Sequence, residues 1–191
     1  MLDKPKYTLK PYYYKALILS SLISFITFSD FNPVYTIGID DSISWAYNYL
    51  FNKDISLLKN LIFPHGPLAF LLYPLATGNN LTFSLIIICV LKIMFSMNIF
   101  VLYQHRYKSI LGPVVISYIL MSLLNVQLII IGLVISSVLN YLKTNNRYWP
   151  FVAIIFSVFG LYIKTYCGIV SLMIILSLIG YVAIYSREYK Y

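Results

Sequence analysis

With 191 residues, 60% of them hydrophobic and 10% charged, the chain carries far fewer charges than the roughly 25% of a soluble domain. A single soluble domain has too little interior to hide that much apolar surface, so the composition excludes a soluble fold and points to an integral membrane protein. The net charge of +8 lies in small clusters between apolar runs, without the continuous basic face that neutralising phosphates requires, which argues against nucleic acid as a partner.

The first apolar run, about Tyr14 to Phe28, follows a basic start with Lys4, Lys6, Lys10 and Lys15. No small-residue A-x-A cleavage site follows it, and the exit reads "FSDFNPVY". An uncleaved signal-anchor helix is expected. Residues 31–80 then form the longest stretch without a spanning run. Within "DSISWAYNYLF" the residues Ile43, Ala46, Tyr47, Leu50 and Phe51 fall at i, i+3, i+4, i+7 and i+8, the stripe of a short amphipathic helix. Asp41 stands where an N-cap belongs, and Trp45 with the tyrosines suits the headgroup layer. "NKD", residues 52–54, ends this helix. A second apolar piece, 55–63, leads into "PHGP", and Pro67 is expected to open another short helix over 67–73.

A helix crosses the hydrocarbon core with about 20 apolar residues. Residues 81–103 meet that length. The run 110–142 is too long for one span and breaks at "LNVQ", residues 124–127. The run 149–186 breaks near "IKTYC", residues 163–167. The fold class expected is therefore all-α polytopic, a single transmembrane domain with six spans at about 14–30, 81–103, 109–124, 127–142, 149–164 and 167–186. This arrangement puts the four N-terminal lysines, Arg106 with Lys108, Lys143 with Arg147, and Arg187 with Lys190 on one side. By the positive-inside rule that side is the cytoplasm. Both termini are then cytoplasmic, and loop 31–80 is extracytoplasmic.

The chemistry-bearing residues concentrate in that loop. Asp41 as a cap and Asp40 as a hydrated loop residue is one account of the two acids. In the other, Asp40 is a spare carboxylate at the membrane surface, able to accept a proton from an incoming hydroxyl. His65 is either a turn histidine between prolines or a substrate contact. Lys164 either snorkels from a helix end to the interface or serves as a counter-charge. Lys92, nearer mid-span, has the same two accounts. Cys89 and Cys167 lie in or beside apolar segments, which fits free thiols rather than a disulfide or a metal site. "NLT", residues 80–82, has the form of an N-glycosylation acceptor, but its place at the start of a span makes the match coincidental.

The order of these features resembles the GT-C class of membrane glycosyltransferases, which take sugars from polyprenyl-phosphate donors. More closely, "IGIDDSISWAYNYL…FPHGPLAFLLYPL" is similar to bacterial members with a G-x-D-x-S start and an F-x-x-G-P-L turn. "FGLYIKTYCGIVSLMIIL", residues 159–176, resembles a later family stretch, with Lys164 and Gly168 matching and Lys-Thr standing in place of Thr-Lys. The resemblance implies a glycosyltransferase of the bacterial cytoplasmic membrane acting on a lipid-phosphate sugar donor and an extracytoplasmic glycan or lipid acceptor; no cofactor is expected, and no residues are assigned as metal ligands. It implies Asp40 as catalytic base with Asp41 as alternate, His65, Gly66 and Pro67 shaping the loop over the substrate cavity, and Lys164 as counter-charge for the donor phosphate. Family members carry further spans, so a truncated product, an N-terminal fragment or a short relative that has lost catalysis is implied. Two non-enzymatic alternatives are a transporter or transporter subunit, which would explain intramembrane lysines and broken helices, and an assembly subunit whose loop docks a partner.

Overall fold

The computed structural model describes residues 9–28, 39–52, 66–104 and 109–188. These residues are overwhelmingly helical, with no β-strand among them. In chain order the helices are α1 (Leu9–Ile26), α2 (Ile39–Asn52), α3 (Asn80–Gln104), α4 (Leu111–Leu123), α5 (Val126–Thr144), α6 (Tyr148–Ile163) and α7 (Thr165–Glu188). A single 3₁₀ turn, Ala69–Leu71, precedes α3.

Three stretches are long and apolar enough to cross a bilayer: Asn80–Gln104, Val126–Thr144 and Thr165–Val182. Three shorter apolar helices, Tyr12–Ile26, Leu111–Leu123 and Tyr148–Ile163, pack among them. Phe25, Leu123, Phe151, Ile155, Met173 and Leu176 stay exposed on the outer faces. So large an apolar exterior suits lipid as its solvent.

Both breaks expected in the long apolar runs occur, and each has a local cause. Leu124 turns extended (φ −90°, ψ 132°) and ends α4. Asn125 (ψ 171°) then caps α5, its Oδ1 accepting from Leu128 N at 3.0 Å. An asparagine at that position satisfies an N–H that has no partner inside the helix. Lys164 is extended (φ −154°, ψ 126°) between α6 and α7. Its N–H donates to Gly160 O at 2.8 Å, and its carbonyl accepts from Cys167 N at 3.0 Å and Gly168 N at 3.3 Å. One residue thus closes α6 and opens α7. At the far end of α5, Asn145 adopts the left-handed conformation (φ 50°) and bonds Tyr141 O at 2.7 Å, a C-terminal stop that asparagine tolerates.

Two local expectations need correction. Helix α2 starts at Ile39, so Asp41 is a first-turn residue and not the N-cap. Ile39 stands four residues before Ile43 and extends the apolar stripe by one turn, and acids in a first turn suit the helix dipole. The helix expected over 67–73 is reduced to the Ala69–Leu71 turn. Its first N–H groups are engaged elsewhere, as described below, and Pro74 disfavours helical geometry at Tyr73. The apolar piece 55–63 and His65 lie outside the described residues.

Helix α3 is the centre of the bundle, with α1, α4 and α5 packed on it. Tyr12 Oη donates to Phe100 O at 3.0 Å and Ser24 Oγ to Cys89 O at 3.3 Å, which fixes α1 antiparallel to α3. Consecutive helices α4 and α5 take different neighbours: α4 packs on α1 and α3, and α5 on α3, α6 and α7. They therefore diverge from Leu124–Asn125. Small and amide side chains hold the buried contacts. Asn98 Nδ2 donates to Ser136 Oγ (3.2 Å) and Ser137 Oγ (3.3 Å), and Asn140 Nδ2 to Asn98 O (3.3 Å), the polar joints expected between helices without a hydrophobic drive. Between α6 and α7 a Cβ on Gly168 would lie 2.1 Å from Leu161 Cγ and 2.7 Å from its backbone N. Only glycine permits that approach.

Candidate functional site

One end of the bundle collects the ends of α1, α4 and α6, the starts of α3, α5 and α7, and the turn segment 66–79. Helix α6 ends there with carbonyls that have no partner inside the helix. Gly66 N donates to Ile163 O at 3.1 Å and Leu68 N to Tyr162 O at 2.8 Å. The residue between them is Pro67, which has no N–H to donate. Donors at alternate positions are what an extended segment presents to one side, so the proline costs no bond. The approach is so close that a Cβ on Gly66 would lie 2.2 Å from Tyr162 O. The "GPL" turn and the "YIKT" break are thus one backbone-to-backbone joint.

A buried amide ties α2 to the same segment. Asn48, with no exposed surface, donates from Nδ2 to Ser44 O and Tyr73 O, both at 2.9 Å. Its Oδ1 accepts from Leu75 N (3.2 Å) and Asn80 Nδ2 (3.1 Å), and Asn80 Nδ2 also reaches Asn48 O (3.0 Å). All of the hydrogen-bonding capacity of the Asn48 side chain is used. With its amide nitrogen buried and engaged, Asn80 is not presented for glycosylation, in agreement with a coincidental "NLT".

Where α4 and α5 diverge they leave a cavity of ≈ 190 Å³. Lys92 and Ile88 of α3 and Thr27, just past α1, line it. Met121 and Ser122 of α4, Asn125, Gln127 and Ile129 at the start of α5, and Leu72 and Tyr73 of the turn segment complete the lining. Lys92 is 4% exposed. Its Nζ donates to Thr27 O and lies 3.4 Å from Thr27 Oγ1 and 5.7 Å from the centroid of the Phe28 ring. Gln127 is 8% exposed. Tyr166 Oη donates to Gln127 Oε1, and Cys167 Sγ approaches Gln127 O at 3.5 Å. Through Gln127 the two helix breaks are in direct contact.

The residues expected to carry function divide as follows. Gly66 and Pro67 sit in the joint on α6, and Lys164 is the break residue beside it. Lys164 is half-buried, its Nζ 5.1 Å from the centroid of the Tyr166 ring, and it does not line the cavity. Asp40 and Asp41 belong to the first turn of α2, but their side chains, like all of His65, fall outside the described residues. Cys89 and Cys167 are free thiols. Of Lys92 and Lys164, Lys92 is the one that lines the cavity. Gln127 and Tyr73 carried no such signal: "LNVQ" reads as a helix break, and nothing local says that its glutamine turns inward.

Compared with known proteins, the chain matches no family model, no curated protein and no solved structure.

Proposed function

We propose that the protein is a multi-pass protein of the bacterial cytoplasmic membrane that acts as a GT-C-like glycosyltransferase, moving a sugar from a polyprenyl-phosphate donor to an extracytoplasmic glycan or lipid acceptor. In this proposal the three long and three short apolar helices are six spans, both termini are cytoplasmic, and α2 with the turn segment faces outward. The joint of Gly66 and Leu68 on Tyr162 and Ile163 carries the proposal. The two stretches that resemble the glycosyltransferases, 97 residues apart between Gly66 and Ile163, are parts of one unit at one end of the bundle. Asp40, or else Asp41, takes the proton of the acceptor hydroxyl. The resulting oxygen attacks the anomeric carbon, the bond from that carbon to the lipid phosphate breaks, and the phosphate leaves with the electron pair. Lys164, beside the joint, balances its charge.

The test is sugar transfer by membranes containing the protein, supplied with a radiolabelled polyprenyl-phosphate sugar. Transfer by the wild type and loss of about 100-fold or more in Asp40→Asn, with the variant still folded, is the expected result. Transfer unchanged in both Asp40→Asn and Asp41→Asn removes the base assignment. Absence of transfer by the wild type favours a transporter or assembly subunit, readings that the buried Lys92 and the broken helices also suit.

A further inference from the structure

The wedge between α4 and α5 is furnished for an anion. Lys92 brings its side-chain ammonium to the lining. Thr27 takes part of that ammonium's donor capacity, and an ammonium has three N–H groups. Thr27 O and Thr27 Oγ1 (3.4 Å) account for two of them, which leaves one for a ligand. Gln127 supplies a second donor. Its Oε1 is held by Tyr166, so its Nε2 is left without a partner among the described residues, in a side chain more than nine-tenths buried. The start of α5 supplies a third. Asn125 occupies Leu128 N through Oδ1 and Ile129 N through its carbonyl, and the N–H groups of Val126 and Gln127, at the positive end of a 19-residue helix, have no partner among the described residues. The remaining wall, from Leu72, Ile88, Met121 and Ile129, is apolar.

We propose that this wedge binds the phosphate headgroup of a membrane amphiphile, with Lys92 as counter-charge, Gln127 Nε2 as neutral donor and the alkyl chain leaving between α4 and α5. The site does not depend on sugar transfer and does not include Lys164. Its volume fits a phosphate with a small substituent and no larger headgroup, since drug-sized ligands occupy cavities of roughly 300 Å³ or more.

The experiment uses the whole protein in nanodiscs of zwitterionic lipid. Binding of dodecyl phosphate is counted by native mass spectrometry, with dodecanol as the uncharged control. One dodecyl phosphate bound per chain, and no dodecanol, is expected. Lys92→Met weakens binding about tenfold or more, because a charge-assisted contact is lost; Lys92→Arg retains it, and Lys143→Met, in the last turn of α5 and exposed, leaves it unchanged. Gln127→Leu provides a second lesion should Lys92→Met fail to fold, and weakens binding less. Competition by inorganic phosphate assigns the site to the free anion, and binding without such competition assigns it to a lipid headgroup. Equal binding of dodecanol, or full binding by a folded Lys92→Met, overturns the proposal.

Discussion

Asn80 opens α3 with its side-chain amide donating to both oxygens that Asn48 offers, the backbone O at 3.0 Å and Oδ1 at 3.1 Å. Two buried amides, one from α2 and one from α3, therefore hold the turn segment between them. Replacing Asn48 by leucine, which is nearly isosteric, leaves Leu75 N, Tyr73 O and Asn80 Nδ2 without that partner. A buried donor or acceptor left unmade costs about 1–3 kcal/mol. Asn48→Leu is expected to lower the thermal midpoint in detergent and to speed proteolysis of the α2–turn segment, both read on the purified protein. Unchanged values for both would mean that the amide cluster does not hold the segment.

The joint on α6 predicts a contrast between two glycines. A Cβ at Gly66 meets backbone 2.2 Å away, whereas one at Gly180 meets no atom within 4 Å. Backbone cannot swing aside as a side chain can, so Gly66→Ala undocks the turn. Limited proteolysis near residue 66 is expected to accelerate about tenfold or more, the equivalent of losing two hydrogen bonds. Gly180→Ala, in the interior of α7, stabilises by up to about 1 kcal/mol through helix propensity. Equal behaviour of the two variants contradicts the docking.

Closer to the α6–α7 break, Gly168→Ala forces Leu161 and its backbone away from α7. Overpacking of this kind costs about 1–3 kcal/mol. The loss is expected as a lower unfolding midpoint, and Leu161→Ala in the same chain recovers part of it by removing the Cγ that the new methyl meets. Failure of the second change to recover anything would show that the contact with Leu161 N, 2.7 Å from the Cβ, dominates.

Alkaline titration offers a check on α2. Burial raises the Tyr47 phenol above its ordinary 10.0, with nearby Tyr73 as a smaller cause. A raised phenol pKa means that the folded state holds its proton more tightly. The stability it contributes is fully present below pH 10, and is lost as the pH rises through the folded value, because the unfolded chain ionises first. Unfolding midpoints measured from about pH 8 to about pH 11 are expected to fall more steeply for the wild type than for Tyr47→Phe.

The helices were legible in the sequence because their causes are local. Asn125 is a good cap at the end of an apolar run, and the polar pair Lys164–Thr165 interrupts another, so both breaks could be placed within a residue or two. The start of α2 was not placed so well, since Asp41 and Ile39 both qualify as openings and only the added apolar turn separates them. The joint between Gly66 and Ile163 left no trace in the residue types beyond a glycine and a proline. Backbone-to-backbone bonds carry no side-chain signature. The cavity was illegible for a different reason. It arises because α4 and α5, though adjacent in the chain, choose different neighbours, and a pairing choice of that kind is absent from the periodicity of either helix.

That divergence also bears on how the protein is made. Helices α1, α3 and α4 all pack on one another, and all three are complete before residue 126 is synthesised. Domains and subdomains fold in the order in which the ribosome delivers them. The first half can therefore assemble as a three-helix platform while the second is still being translated, with one side of α3 open until α5 arrives to cover it.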